Sequence, residues 1–154
     1  MKALEILKRC RDAKGELERL QQRIAQRRDI LDAKAPQADP NGGSRGSGDK
    51  DKIGRVTADI VDLEREMEAR KEELMAEQTS ACALLDMVPD LESEVLHMYY
   101  VKNEDTARIA RRKKYTNGYV RRVKRNAEQL LDMLDEERVN ATLPSWYLKR
   151  EGGE

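Results

Sequence analysis

Residues 106–134, TARIARRKKYTNGYVRRVKRNAEQLLDML, decide the fold of the last third of this chain. From residue 117 onward, apolar side chains recur at the 3.6-residue spacing of a helix. They are Val120, Val123, Ala127, Leu130, Leu131 and Leu134. The opposite face of the same projection is polar and carries three arginines. Its members are Gly118, Arg121, Arg122, Arg125 and Gln129. The pattern predicts an amphipathic helix whose outward face is basic.

Two shorter helices are predicted before this one. Leu91, Val95 and Met98 share one helical face, and Ile109 and Ala110 face inward on the next helix. A polar break at residues 102–105 separates the two. Three short helices in this order, the last of them basic, form the helix-turn-helix pattern.

The ends of these helices are predicted from their capping residues. Lys114 and Tyr115 form the turn before the third helix, and Thr116 is suited to cap it. Lys114 must adopt a left-handed backbone conformation, or the turn must take another form. Upstream, Pro89 ends a long helix and Asp90 is the predicted cap of the first short one.

The charge of the chain is strongly segregated. Residues 106–127 contain nine basic residues and no acidic residue, whereas the whole chain balances 30 Lys+Arg against 30 Asp+Glu. The nine are Arg108, Arg111, Arg112, Lys113, Lys114, Arg121, Arg122, Lys124 and Arg125. The remainder therefore carries 21 minus 30, or −9. A basic surface of this kind favours polyanions through counterion release. A solvated basic helix with no partner is the alternative.

Composition narrows the function classes. With 38% hydrophobic and 39% charged residues, no Phe and one Trp, the chain does not suit a deep apolar pocket. It lacks a Ser/His/Asp or Cys/His set, a phosphate-binding Gly-rich loop and a metal-ligand cluster, so we expect no enzyme, no metal and no cofactor. We expect Cys10 and Cys82 to be reduced, with Cys10 a buried thiol. No apolar run approaches the about 20 residues of a membrane span, and the amino terminus has no signal-peptide core. A cytoplasmic protein with no membrane partner is predicted.

Two heptad series precede the basic region. In residues 2–34 the a and d positions are Ala3, Ile6, Cys10, Ala13, Leu17, Leu20, Ile24, Arg27 and Leu31. In residues 53–88 they are Ile53, Val56, Ile60, Leu63, Met67, Arg70, Leu74, Glu77, Ala81, Leu84 and Val88. Two such helices predict a coiled-coil-like antiparallel hairpin. A homo-oligomer formed through the same seams is the rival arrangement.

The Pro-, Gly- and Ser-rich segment 36–48, PQADPNGGSRGSG, predicts a flexible connector, which we place at residues 36–52. The predicted fold class is therefore all-α. A hairpin spans residues 1–88, a three-helix helix-turn-helix unit spans 89–135, and a tail spans 136–154. Docking of Trp146 and Tyr147 onto the fold is the alternative to a frayed tail.

The segment from Val95 to Arg125 resembles region 4 of sigma-70-type RNA polymerase sigma factors. The whole chain, over about residues 1–134, is similar to a family of short phage and prophage proteins of Gram-positive bacteria. In that family a helical hairpin, a Gly/Ser-rich loop and a second helix of the type Val-x-x-Ile-Val-Asp-Leu-Glu-Arg-Glu precede a sigma region 4-like module. Residues 60–66, IVDLERE, are identical to that pattern.

The resemblance implies which residues read DNA. Base-reading positions correspond to Asn117, Gly118, Tyr119 and Arg122, and further base or phosphate contacts correspond to Arg121, Lys124 and Arg125. Lys113, Lys114 and Thr116 complete the predicted DNA-binding set. The family usually has Leu in place of Lys113, Gly in place of Lys114, and often a base-contacting acid in place of Gly118. These departures bear on sequence-specific reading more than on DNA binding.

Three function classes follow. The first is a transcriptional regulator of phage or prophage origin that binds double-stranded DNA, with RNA polymerase as a candidate second partner. The second is a small terminase-type subunit that recognises DNA for phage packaging, since such proteins also join a helix-turn-helix to helical hairpins and form rings. The third is a structural coiled-coil protein with an incidental basic patch. Oligomeric state discriminates between the first two.

Overall fold

A computed structural model describes residues 1–33 and 47–152 of the chain. Within those ranges the protein is all-helical and contains no strand, which confirms the predicted fold class. The helices are α1 (Ala3–Ala33), α2 (Ser47–Leu85), α3 (Asp90–Leu96), α4 (Thr106–Lys113), α5 (Asn117–Asp132), α6 (Glu136–Asn140) and α7 (Ser145–Glu151). Helix α3 runs directly into a π-helical segment, His97–Val101. None of the described helices is both long enough and apolar enough to cross a membrane.

Of the predicted connector at residues 36–52, the part from 36 to 46 lies outside the described residues. From Ser47 onward the chain is helical, so the prediction of a loop at 47–52 is wrong. The sequence DKDK at residues 49–52 is polar enough to suggest a loop. It nevertheless contains no proline and no glycine, so nothing in it breaks a helix.

The contacts divide the chain into two compact units. Unit 1 comprises Met1–Gly15 and Glu72–Glu154, and unit 2 comprises Glu16–Lys71. This division differs from the predicted boundaries at residues 88 and 135. The difference arises because the beginning of α1 and the end of α2 share a core with the short helices.

Unit 2 is an antiparallel helix pair. Its core consists of Leu20, Ile24, Ile60 and Leu63, all of them predicted seam positions. Glu16 on α1 pairs with Arg70 on α2, with Oε2 and Nε 3.2 Å apart, and Arg28 pairs with Glu64 at 2.6 Å. Because the partner number falls as the α1 number rises, the two helices run in opposite directions.

Unit 1 has a core to which each described helix except α4 contributes. Its buried residues are Ala3, Ile6, Leu7, Ala76, Ala81, Leu84, Leu85, Val88, Leu96, Tyr100, Ala127, Leu131, Val139, Leu143 and Tyr147. Cys10 is also fully buried, as the heptad predicted. Within this unit, seam residues from the beginning of α1 and from the end of α2 lie in one core, as the heptad pattern predicted.

The segment after residue 135 is helical and partly buried, so the prediction of a frayed tail is wrong. The docked alternative is correct for Tyr147 but not for Trp146, which is exposed. Val139 and Tyr147 are 0% and 2% exposed, and Leu143 is also buried. These three residues are four apart: Val139 lies in α6, Tyr147 lies in α7, and Leu143 lies in the connection between them. Pro144 interrupts the pattern between the two helices, and this interruption hid the periodicity in the sequence.

A buried polar network joins this segment to the long helices. The Tyr147 hydroxyl donates to Glu77 Oε1 at 3.1 Å and accepts from Arg9 Nη1 at 3.3 Å. Arg9 also pairs with Glu151 of α7. Glu77 occupies a d position of the α2 seam, and hydrogen bonding of this kind is what a buried carboxylate requires.

A second core in unit 1 holds α3, α4 and α5 together. It consists of Val95, Met98, Ile109, Ala110, Val120 and Val123, which matches the predicted inward faces. Two details differ from prediction. Asp90 is the first helical residue rather than the cap, since Pro89 precedes it in the cap position. Leu130 is 45% exposed, because it falls at the edge of the apolar face of α5.

Candidate nucleic-acid interface

Helices α4 and α5 are joined by a short turn, and a side-chain hydrogen bond caps the start of each helix. The Asp105 side chain accepts from the backbone N–H of Arg108 at 2.7 Å and caps α4. The Thr116 hydroxyl accepts from the N–H of Tyr119 at 3.2 Å and caps α5, as predicted. Lys114 has φ 60° and ψ 40°, so of the two predicted alternatives it takes the left-handed conformation.

Helix α5 presents the predicted face to solvent. Val120 is fully buried, with Val123, Ala127 and Leu131 beside it. The residues predicted to lie opposite are all exposed. They are Gly118, Arg121, Arg122, Arg125 and Gln129. Unit 1 therefore carries an exposed basic helix face backed by an apolar core.

Six of the nine basic side chains in the 106–127 window make no ion pair or hydrogen bond to any residue that the structure describes. They are Arg108, Arg111, Lys114, Arg121, Arg122 and Arg125. All six are exposed. Arg108 and Arg111 were not among the predicted site residues, although the charge window contained both. These six form what we call the free basic set.

The other three basic residues are paired within unit 1. Arg112 pairs with Glu104, and Lys113 pairs with Glu94 of α3. Lys124 pairs with Glu128 at 2.6 Å. The structure therefore does not bring Lys113 and Lys124, both predicted DNA contacts, into the free basic set. The pair between Lys124 and Glu128 could be predicted from its i,i+4 spacing in the sequence. The pair between Lys113 and Glu94 could not, because it depends on the packing of α3 against α4.

Lys124 is further held by an aromatic ring. Its ammonium nitrogen lies 4.4 Å from the centroid of the Tyr99 ring, within cation–π range. Its side chain is only 21% exposed. These contacts make Lys124 a residue that fixes α5 in place rather than one that reaches outward.

The start of α5 carries the remaining predicted residues. Asn117 is exposed, and the Tyr119 ring packs edge-to-face on Tyr115 with centroids 5.0 Å apart. Both rings remain partly accessible. A Cβ atom added at Gly118 would meet no atom within 4 Å, so a larger side chain would fit at this position on the helix surface. The Thr116 hydroxyl oxygen accepts the capping bond, and its O–H remains a hydrogen-bond donor at an exposed position.

No known protein family, curated protein or solved structure matches this chain. The similarity to sigma region 4 and to a phage protein family therefore stays a prediction from the sequence.

Proposed function

We propose that this protein is a DNA-binding transcriptional regulator of phage or prophage type that reads double-stranded DNA with α5. One observation carries the proposal. Arg121, Arg122 and Arg125 are exposed, unpaired with any described residue, and opposite the buried face at Val120. An α-helix fits the major groove of B-DNA, where arginine side chains can form paired hydrogen bonds with guanine.

The strength of binding is expected to come from the free basic set. Each phosphate neutralised contributes about −0.9 to the slope of log affinity against log salt concentration. The six free cations of this window therefore contribute at most about −5 to this slope, whereas nine would have contributed about −8. Sequence preference is assigned to Asn117, Tyr119 and Arg122 at the start of α5, in line with the sigma region 4 resemblance.

The experiment measures affinity for duplex DNA at several salt concentrations. Arg122→Ala should cost about 1–3 kcal/mol of binding free energy and relax base preference, if the side chain reaches a base edge. Arg23→Ala is the matched control, since Arg23 is an exposed arginine of unit 2 with no side-chain partner among the described residues. Equal binding by wild type and Arg122→Ala, or affinity that ignores salt, contradicts the proposal.

Recovery of bound genomic fragments then tests the regulatory part. Promoter fragments support a regulator, and co-purification of RNA polymerase would support contact with that enzyme. Enrichment of a single packaging site, together with a stable ring of subunits, would instead indicate a small terminase-type protein. A structural coiled-coil protein would return no enriched fragment.

A further inference from the structure

A cleft of about 410 Å³ lies in unit 1 where α1 meets the helix-turn-helix. Arg11 of α1 lines one side, and Arg121 and Arg125 of α5 line another. Thr106, the first residue of α4, also lines it. The cleft thus brings together residues that are more than 90 positions apart in the sequence.

The cleft has an excess of positive charge. Four cations line it, the three arginines and Lys124, against the two carboxylates of Asp105 and Glu128, which leaves +2. Both carboxylates are already engaged. Asp105 accepts from the backbone N–H of Arg108, and Glu128 Oε1 accepts from Tyr100 and Lys124, each at 2.6 Å. Arg121 and Arg125 therefore have no acidic partner among the described residues.

Arg11 is held in place without losing its charge. Its Nη1 donates to the backbone carbonyl oxygens of Tyr99 and Glu104, and its guanidinium carbon lies 4.0 Å from the centroid of the Tyr99 ring. Carbonyl groups carry no formal charge, and a guanidinium has five N–H donors. Its Nε and Nη2 donate to no residue that the structure describes. Arg11 is thus an oriented cation with donors to spare.

We propose that this cleft binds a phosphate of the DNA backbone, so that α1 takes part in DNA binding together with the helix-turn-helix. The inference rests on the proposed function. Arg121 and Arg125 are one turn apart on the edge of α5 that borders the cleft, and a backbone strand running along that edge passes Thr106 and Arg11. Arg122 does not line the cleft, which separates base reading at Arg122 from phosphate binding at Arg121 and Arg125.

The test is the salt dependence of affinity for a short random-sequence DNA duplex. Arg11→Gln keeps an amide donor for the backbone carbonyls but removes the charge. It should lower the salt slope by about one and weaken binding about five- to tenfold at 0.1 M salt. Arg11→Lys should retain most of the slope. The matched control is Lys8→Gln, which removes an exposed charge from the same helix outside the cleft and should change neither value.

A second variant covers the case in which Arg11→Gln does not fold. Thr106→Glu places an acid at the start of α4, a position that favours negative charge in a helix, and also puts that charge in the cleft. It should weaken duplex binding about tenfold or more, whereas Thr106→Gln, of the same size, should not. Circular dichroism confirms that each variant is folded.

The outcomes separate the two proposals. If wild type binds the duplex with salt dependence and Arg122→Ala weakens it, but the cleft variants bind like wild type, the cleft inference is wrong and the proposed function stands. If wild type does not bind the duplex, both fail. If the cleft variants lose binding to polyglutamate as strongly as to DNA, the cleft accepts acidic polymers in general and the assignment to a DNA phosphate is overturned.

Discussion

Lys114 holds a backbone conformation that is unfavourable for most residues. Its φ of 60° lies in the left-handed region, which costs a non-glycine residue about 1–2 kcal/mol. The side chain belongs to the free basic set, next to the start of α5. A residue that lowers stability while supplying a charge at a candidate interface suggests that the charge is used.

We predict that Lys114→Gly raises stability and weakens DNA binding. Glycine adopts the left-handed conformation without strain, so the free energy of unfolding should rise by about 0.5–1 kcal/mol. Loss of the charge should reduce the salt slope of duplex binding by about one. Urea unfolding and salt titration measure the two effects. Lys114→Asn, which tolerates this conformation, should fall between wild type and glycine in stability. If Lys114→Gly is no more stable than wild type, the left-handed conformation of Lys114 does not destabilise the protein.

Buried groups with a raised pKa make stability depend on alkaline pH, and Tyr100 is one of them, since burial raises the pKa of its hydroxyl. Burial, with the nearby Glu77 carboxylate, raises the pKa of the Cys10 thiol from 9.0 to about 12. Burial also raises the pKa of the Tyr147 hydroxyl from 10.0 to about 12. All three groups stay neutral in the folded state at a pH where the unfolded chain loses their protons. Stability is therefore complete below about pH 9 and falls as pH rises toward 12.

We predict that the free energy of unfolding is lower at about pH 10.5 than at about pH 8. Cys10→Ala should lose less stability over this interval than wild type, although it is less stable at neutral pH because of the cavity it creates. Urea unfolding at the two pH values measures both. A wild-type stability that is flat over the interval would show that these groups ionise normally in the folded protein.

At the scale of single elements, α7 has two neighbouring aromatic residues in opposite environments. Tyr147 is 2% exposed in the core of unit 1, whereas Trp146 is 39% exposed and its ring lies 5.2 Å from the Arg150 guanidinium carbon. Adjacent residues of a helix point about 100° apart, and here Tyr147 faces the core while Trp146 lies on the accessible side.

We predict that Tyr147→Ala destabilises unit 1 by about 3–5 kcal/mol, because it empties a core position. Tyr147→Phe should lose about 1–3 kcal/mol, because it keeps the ring but removes the hydrogen bonds to Glu77 and Arg9. Trp146→Ala is the control and should cost under about 1 kcal/mol. Equal effects of the two alanine variants in thermal or urea unfolding would mean that α7 does not dock as described.

At the scale of the whole molecule, the candidate site belongs to one unit. The free basic set and both cores that support α5 lie in unit 1. Unit 2 has a small core of its own and contributes none of these residues. Glu16 and Arg70, at its two ends, form an ion pair, so a short connector can bridge the chain at that point.

We therefore predict that a variant in which a short Gly/Ser turn replaces residues 16–71 still folds and binds duplex DNA with the wild-type salt slope. Circular dichroism and salt titration check the two parts. The same deletion carrying Arg122→Ala is the control for specific binding. A folded deletion variant that has lost duplex binding would place a necessary contact, or an oligomer interface, within residues 16–71.

Local sequence patterns were sufficient to predict the helices of this protein and the residues on their buried faces. The seam residues of α1 and α2, the Thr116 cap and the inward face at Val120 and Val123 were all predictable from the sequence. Each depends on residues a few positions apart on one helix, and helical periodicity relates such positions directly. The charge window likewise located the basic face of α5.

The tertiary structure alone decided which charges are free and which segments share a core. Lys113 is neutralised by Glu94, which lies 19 residues away, and Arg11 of α1 reaches the carbonyls of Tyr99 and Glu104. Tyr147 docks on Arg9 and Glu77 across a proline-interrupted segment. Ion pairs and core contacts of this kind depend on distances between elements, and no periodicity within one element encodes those distances. The sequence therefore determined the helices and their faces, while the packing of the helices determined which basic residues have no acidic partner among the described residues.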